Sequence, residues 1–341
     1  MNKFKNHLNA LTAGRRIDMR TKVHFATTLT TLLLLLFTSA GPYLPAPAPS
    51  ASAAGVNVLH VPRDFATIQA AVDAAGPGDV IHVTKGTYNE NVVVTTSDLR
   101  LHASAGAVLD GTGLTGNGIH VLGTVGAPVT GVEVAGFEVR NFERGIVVEQ
   151  ATYARIRRNE VHHNLDKVAP LNTLTDAVGI DLRTVRFSEV SQNFSHDNGV
   201  AGLQVRVGST RNVIRANRLN DNGSQLTADW SGKGILLTGP SNDNTVLENE
   251  VLRNSGWGIV ITRPPGQPLT GTFVAQNRLH DNARAGISLM GSAVSGNVIL
   301  RNNATGNSVA GYTLATCYPF DLFDQLPVDN TWEGNKGTSN F

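Results

Sequence analysis

The sequence predicts an all-β fold, a parallel β-helix in which short strands stack coil upon coil, and three observations predict it. A nine-residue phrase with Asn at fixed places recurs along the chain. A Gly followed by alternating apolar residues comes after each unit, and a short helical segment stands before the first copy. This combination is typical of a solenoid of repeated coils closed by a terminal cap.

The repeated phrase puts one Asn three residues after an apolar residue and a second Asn five residues later. Asn suits the corners between short strands because its side chain bonds nearby backbone and tolerates left-handed dihedrals. In stacked coils each Asn would also meet the Asn above and below, which predicts a ladder. We therefore interpret the pairs as structural, with Phe137 and Phe142 filling the matching places one coil earlier. The first Asn of each copy is Asn159, Asn193, Asn217, Asn249, Asn277 and Asn297.

The helical segment "ATIQAAVDAA" places Ile68, Ala71, Val72 and Ala75 on one face, as a lid over an open solenoid end requires. The stretch "TIQAAVDAAGPGDVIHVTKGTYNENVVV" resembles the N-terminal cap of the pectin-lyase-like right-handed β-helix superfamily, and the later coils resemble its repeat. The resemblance implies a right-handed parallel β-helix. It also implies an activity from a wide range: lyases, hydrolases, esterases, epimerases, phage tailspikes and proteins of unassigned role.

The chain divides into a leader and one domain. Residues 1–54 read as a signal peptide and Pro/Ala-rich spacer, because basic residues precede the apolar run "LTTLLLLLF" and "SASAAG" follows. Met19 is an alternative start, and an uncleaved membrane anchor is the alternative to cleavage. Residues 55–341 form the β-helix, with an N-terminal cap at about 55–95, regular coils at 132–315 and a C-terminal cap at 316–341.

Composition excludes several functional classes. Without the leader, the chain keeps 22 of 28 basic and 26 of 27 acidic residues, a net charge of about −4. The sequence has no stripe of basic residues of the kind that binds nucleic acid. Cys317 is the only cysteine, so no intrachain disulfide can form. We expect a bacterial-type secreted protein without stable membrane association after cleavage, and a monomer because both ends are capped.

The alternation after each Gly predicts which side chains face outward. Adjacent coils lie about 4.8 Å apart, so equivalent residues should form columns on the outer face. One column is Glu149, Arg183, Arg206, Thr238 and Thr262, and the neighbouring column is Val147, Asp181, Gln204, Leu236 and Val260.

Two stacked arginines indicate either a site for an acidic sugar or a surface salt-bridge ladder with Glu149 and Asp181. Long insertions at 165–178 and 223–233 flank this face, and such loops commonly carry binding residues. The candidate catalytic residues are Arg206, Arg183, Lys167 and Asp181. The candidate substrate-binding residues are Glu149, Gln204, Trp230, Lys233 and Asp176.

The functional hypothesis is a carbohydrate-active protein, a polysaccharide lyase that cleaves an acidic polysaccharide by β-elimination. Arg183 and Arg206 would neutralise the uronate, Lys167 or Arg206 would take the proton, and Ca²⁺ held by Asp181 and Glu149 is a candidate cofactor. A glycoside hydrolase would use Glu149 and Asp181, or Asp176 and Asp181, as its paired carboxylates. A non-catalytic glycan-binding protein would use the same groove.

The histidines near the corners are the remaining candidates for chemistry. We interpret His162, His163, His196 and His280 as solvated corner residues rather than metal ligands, because they are adjacent or scattered in sequence. A periplasmic accessory protein in metal-cofactor maturation is a further alternative. The lack of a His/Met/Cys cluster in the sequence counts against it.

Overall fold

The computed structural model describes residues 55–167, 177–224, 232–262, 267–308, 320–325 and 329–341. In these residues the chain forms one helix and three sheets whose named strands all pair in parallel along the stack. This confirms the predicted all-β solenoid. The leader at 1–54 lies outside the described residues, and the domain boundaries stay predictions.

Sheet A has eleven strands, in the order in which they pair. They are β1 (Val58–Val61), β2 (Val80–Val83), β5 (Arg100–Ala103), β9 (Glu133–Ala135), β12 (Arg155–Arg157), β15 (Glu189–Ser191), β18 (Val213–Arg215), β21 (Thr245–Leu247), β24 (Phe273–Ala275), β27 (Val298–Leu300) and β29 (Thr331–Glu333). Sheet B has eight strands. They are β3 (Gly86–Tyr88), β6 (Ala107–Asp110), β10 (Glu138–Arg140), β13 (Glu160–His162), β16 (Phe194–His196), β19 (Arg218–Asn220), β22 (Glu250–Leu252) and β25 (Arg278–His280).

Sheet C has ten strands, nine of them stacked in one path. They are β4 (Val92–Val94), β7 (Asn117–Leu122), β11 (Arg144–Thr152), β14 (Val178–Arg186), β17 (Ala201–Arg206), β20 (Lys233–Thr238), β23 (Trp257–Thr262), β26 (Ile287–Met290) and β28 (Leu322–Asp324), while β8 (Val129–Thr130) pairs beside β11. From β2 to β26, each coil contributes one strand to each sheet, with β8 as an additional strand in sheet C. Inward side chains from the three sheets fill one continuous apolar core.

The N-terminal cap is confirmed as a helix, α1 (Ile68–Ala74). The Thr67 hydroxyl accepts from the Ala70 N–H and caps its first turn. The carboxylate of Glu90 accepts from the N–H groups of Ile68 and Gln69 at 2.8 and 2.9 Å. Buried apolar side chains of α1 pack against β1, β2 and β4, so the helix covers the first coils.

The Asn residues form buried ladders, as predicted. In each rung the side-chain amide of one Asn donates to the Oδ1 of the Asn one coil along. For Asn193, both the backbone N–H and Nδ2 lie 3.0 Å from Asn217 Oδ1, and Nδ2 also donates to Ile156 O at 2.9 Å. Phe137 and Phe142 stand at the matching places, where their N–H groups donate to Asn159 and Asn164.

Two details of the ladder prediction are wrong. Asn277 bonds Asn302 rather than Asn297, which belongs to a third ladder and bonds Asn330. In the last copy of the phrase, Asn302 and not Asn297 is therefore equivalent to Asn277. The left-handed backbone is adopted by the residue before most ladder Asn residues, such as Ala216 at φ 54°, and no ladder Asn of the described residues has a positive φ.

The described part of the C-terminal segment adds one strand to each of two sheets. β28 pairs with β26 in sheet C, and β29 pairs with β27 in sheet A. Asn330 and Asn335 add a further rung to two ladders. Trp332 packs against the core, and its indole N–H donates to Asp324 at 2.7 Å.

Candidate functional site

The outer face of sheet C carries the predicted columns. Glu149 pairs with Arg183, and Arg183 pairs with Arg206 on the next coil. The neighbouring column also has the predicted register, Val147, Asp181, Gln204, Leu236 and Val260. A glycine before each strand core fixes this direction, because a Cβ on Gly145 would lie 2.3 Å from a Val161 methyl in the core.

Asp181 is the centre of the charged cluster on this face. It is fully buried, and both of its oxygens face guanidinium groups. Arg206 donates from Nε to Oδ1 at 3.1 Å and from Nη2 to Oδ2 at 2.8 Å, a bidentate pair. Arg183 lies 2.8 Å from Oδ2 through Nε and 2.7 Å through Nη2. Asp181 thus holds the two arginines in place.

The cluster also contains residues that the sequence analysis missed. The Nε of Arg144 lies 4.0 Å from Asp181 Oδ2, and burial, reinforced by the Arg183 guanidinium, lowers the pKa of Arg144. His120 Nε2 lies 3.3 Å from Glu149 Oε2. Burial lowers the pKa of His120 below its usual range, although Glu149 opposes that shift. Its imidazole is therefore neutral at neutral pH.

A signal for both residues is present in the sequence. The stretch "GIHVL" at 118–122 has the same Gly and alternation as "GIVVE", so His120 occupies the place of Val147 one coil earlier. Arg144 directly precedes Gly145, and strict alternation predicts that the Arg144 side chain points inward. The structure turns it outward because Gly145 and the following Ile146 both face the core.

Gln204 lies next to Asp181 in the same column and is 3% exposed. Its side-chain Oε1 is buried and accepts no hydrogen bond from the described residues. A buried acceptor without a donor costs free energy, and its burial also keeps this oxygen from contact with a ligand.

Lys167 does not join the arginines. Its ammonium group donates to the carbonyls of Gly111, Leu114 and Asn141, at 2.8, 2.6 and 2.5 Å. Three bonds use all three N–H groups of a lysine. This geometry argues against Lys167 as the base, because a general base must reach substrate with a free lone pair.

Lys233 begins β20 in a third outward column, paired with Ala201 and Trp257. It is 6% exposed, and its Nζ lies 5.9 Å from the Trp257 ring, over which Arg284 also packs at 4.3 Å. Burial, with a smaller effect of Arg284, lowers the pKa of Lys233 to about 8. The other two predicted binding residues, Asp176 and Trp230, lie outside the described residues.

The carboxylates of this cluster do not fit Ca²⁺. A calcium ion needs several free oxygens, whereas Asp181 accepts from two arginines, and Glu149 lies 3.7 Å from Arg183 Nη1. The same contacts weaken the hydrolase hypothesis for this pair. One member is sealed from solvent, so it has no access to a glycosidic oxygen or a water.

The chain belongs to the right handed beta helix region family, whose model matches residues 87–303. This establishes the right-handed parallel β-helix implied by the cap. No curated protein matches the sequence.

Solved structures share the fold at low sequence identity. The A-module of the Azotobacter vinelandii mannuronan C-5 epimerase AlgE6 is 16% identical, with 80% of this chain and 83% of that chain covered at a TM-score of 0.54. XylC in complex with xylose is 10% identical, with coverage of 82% and 68% and a TM-score of 0.59. The Dettilon tailspike protein is 17% identical, with coverage of 74% and 50% and a TM-score of 0.53. At these identities the likeness establishes the fold alone.

The described part of the chain contains no helix that is both long and apolar enough to cross a membrane.

Proposed function

We propose that this protein is a secreted carbohydrate-active β-helix protein that binds an acidic, uronate-containing polysaccharide on the outer face of sheet C and cleaves it by β-elimination. The observation that carries the proposal is the cluster of three arginines around one buried carboxylate, beside a neutral histidine.

The arginine side chains of this face favour an anionic ligand. Arg144, Arg183 and Arg206 bring three guanidinium groups together around the Asp181 carboxylate. The arginines keep 15 to 19% of their side-chain surface exposed. A uronate carboxylate that reaches these exposed edges would be bound by guanidinium groups through directed hydrogen bonds.

The same groups fit the first step of β-elimination. Arg183 and Arg206 would bind the C6 carboxylate and stabilise the charge that develops when the C5 proton leaves. His120, 17% exposed, would take that proton on its Nδ1, the nitrogen that the contact between Nε2 and Glu149 leaves with a lone pair. The C4–O bond then breaks, the C4–C5 double bond forms, and the departing oxygen gains a proton from water.

The fold of the mannuronan C-5 epimerase supports a uronate polymer as the substrate class, since that protein's name places its substrate among polyuronates. Secretion is part of the proposal and rests on the basic and apolar pattern of residues 1–54. A non-catalytic glycan-binding protein is the alternative, favoured by the fact that Asp181 already engages both Arg183 and Arg206.

The test is incubation of the protein with polygalacturonate, alginate and glycosaminoglycans, with ultraviolet absorbance of unsaturated products and new reducing ends followed together. We expect both signals to rise on one substrate. We expect His120→Gln to lower turnover about 10²- to 10⁴-fold with little change in affinity, and Arg206→Ala to weaken both.

The matched control is Arg253→Ala. Arg253 makes the same bidentate pair with Asp221 on an adjacent coil, at 2.9 and 2.7 Å, but in an exposed position away from sheet C. Its removal should leave turnover unchanged. Reducing ends without absorbance would mean hydrolysis, and saturable binding without products would mean a binding protein. Either result overturns the elimination.

A further inference from the structure

The outer face of sheet B brings together a second group of chemically active side chains. His162 on β13 and His196 on β16 are register partners on neighbouring coils, and their rings stack at 4.8 Å with 5° between planes. Their side chains are 12% and 14% exposed. Both lie within strands, so the interpretation as solvated corner residues is wrong for this pair.

A carboxylate completes the group. Glu160 lies two residues before His162 on the same face, and one ligand atom each from Glu160, His162 and His196 all lie within 4.8 Å of one another. His196 Nε2 is 3.3 Å from Glu160 Oε1. Two ligands at about 2.0–2.1 Å from a tetrahedral metal are separated by roughly 3.3 Å, so this nitrogen and oxygen already have the spacing of a ligand pair.

Neighbouring groups orient the two rings. His196 Nδ1 lies 2.7 Å from Asp197 Oδ2, and His162 Nδ1 lies 2.7 Å from His163 Nδ1. A carboxylate on Nδ1 fixes the proton there and leaves Nε2 with its lone pair, which is how proteins prepare histidine for a metal. Phe194 also stacks on the His196 ring at 4.1 Å and shields it from water.

The surrounding charges decide which carboxylate is available. Glu138 Oε1 lies 3.3 Å from His162 Nε2, but it also pairs with Arg140 at 3.0 Å. Glu160 is half exposed, and its one ion-pair contact within the described residues is His196. Glu160 is therefore the anionic ligand, and Glu138 stays paired with Arg140.

We propose that Glu160, His162 and His196 form a binding site for a divalent transition metal such as Zn²⁺, with the remaining coordination position open to water. Two imidazoles and one carboxylate suit Zn²⁺, Ni²⁺ and Cu²⁺ and not Ca²⁺ or Mg²⁺, which prefer oxygen ligands. The site lies on sheet B and does not depend on the polysaccharide proposal. Binding would require the two rings, whose centroids lie 4.8 Å apart, to tilt toward each other until both Nε2 atoms reach the metal.

The experiment is titration of the full-length, tag-free chain with ZnCl₂ by calorimetry, supported by the visible spectrum of the Co²⁺ form. We expect one Zn²⁺ per chain and a Co²⁺ spectrum of low coordination number. His162→Ala and His196→Ala should each lower the affinity at least 100-fold. Asp197→Asn should lower it about 10-fold through the orientation of His196, and this exposed substitution leaves the core intact.

The matched control is His280→Ala. His280 lies in the same outward column, and its Nδ1 contacts Asp281 at 2.7 Å as His196 contacts Asp197, but its neighbour one coil back is Leu252. This variant should bind Zn²⁺ as the parent does. No saturable binding below millimolar Zn²⁺, or an equal loss in His280→Ala and His162→Ala, would overturn the site.

Discussion

Asn217 provides a quantitative test of the ladder. Its side chain accepts from Asn193 N and Nδ2, both at 3.0 Å, and donates to Asn249 Oδ1 at 3.0 Å and Val190 O at 2.9 Å. Asn217→Ala removes all four bonds and strands their buried partners. At about 1 kcal/mol for each bond, we expect the free energy of unfolding to fall by about 4 kcal/mol. This corresponds to a drop in Tm of roughly 10 °C.

The assay is urea and thermal unfolding followed by far-ultraviolet circular dichroism and tryptophan fluorescence. Both probes are needed because coils that contact only their neighbours can unfold separately, and coincident transitions would show that they do not. The matched control is Asn335→Ala at the last rung. Asn335 accepts from Asn302 N and Nδ2 and donates to Ile299, but it is half-buried, so water replaces part of its bonding.

We expect Asn335→Ala to cost about 1 kcal/mol. The reasoning fails if Asn217→Ala costs no more than this control, because burial would then add nothing to the ladder. A double substitution at Asn217 and Asn249 should cost less than the sum of the two single changes, since both remove the same shared bond.

Three further predictions concern single residues. Gly234→Ala should cost about 2 kcal/mol or more by denaturation, because its Cβ would lie 2.1 Å from a core side-chain carbon, whereas Gly76→Ala meets nothing closer than 3.6 Å and should be nearly neutral. Burial lowers the pKa of Lys233 from 10.5 to about 8, so the unfolded chain holds this proton more tightly and stability should rise between pH 8 and pH 10.5. That gain is about 3 kcal/mol, and a scan of Tm against pH should show it absent in Lys233→Met. Asp181→Asn leaves three arginines around a neutral amide and should cost about 3–5 kcal/mol, while Asp221→Asn at the exposed pair should cost under about 1 kcal/mol in the same assay.

Most of the fold could be predicted from the sequence because the repeat carries its own register. The Asn pairs mark the corners, and the alternation after each Gly determines which side chains face the core. This was sufficient to place Glu149, Arg183 and Arg206 in one column, as the strand pairing has them. The prediction was wrong at Asn297. Each coil offers three Asn positions five residues apart, and where another residue replaces one of them, as Thr272 does, the sequence does not show which positions the remaining Asn residues occupy.

The partners within the site were harder to predict. Strict alternation predicts that the Arg144 side chain points inward. In the structure Gly145 and Ile146 both face the core, so the side chain before them, Arg144, points outward. The pairing of His162 with His196 was missed for another reason. They are 34 residues apart because of an insertion, and only the strand register shows that the insertion leaves them side by side.

The burial of Asp181 could not be predicted from the alternation of apolar and polar residues. Period-two alternation assigns a residue to the outer face of a sheet, and outward is commonly equated with solvated. On sheet C the outward Asp181, Val147 and Val260 are all fully buried, whereas Arg218 and Arg278 on sheet B are mostly exposed. Burial changes what the carboxylate does. An Asp between two arginines forms only weak salt bridges when it is exposed to water. A fully buried Asp instead uses both of its oxygens to bind the guanidinium groups and so fixes their positions. The proposed chemical role therefore lies with Arg183 and Arg206, and Asp181 positions them.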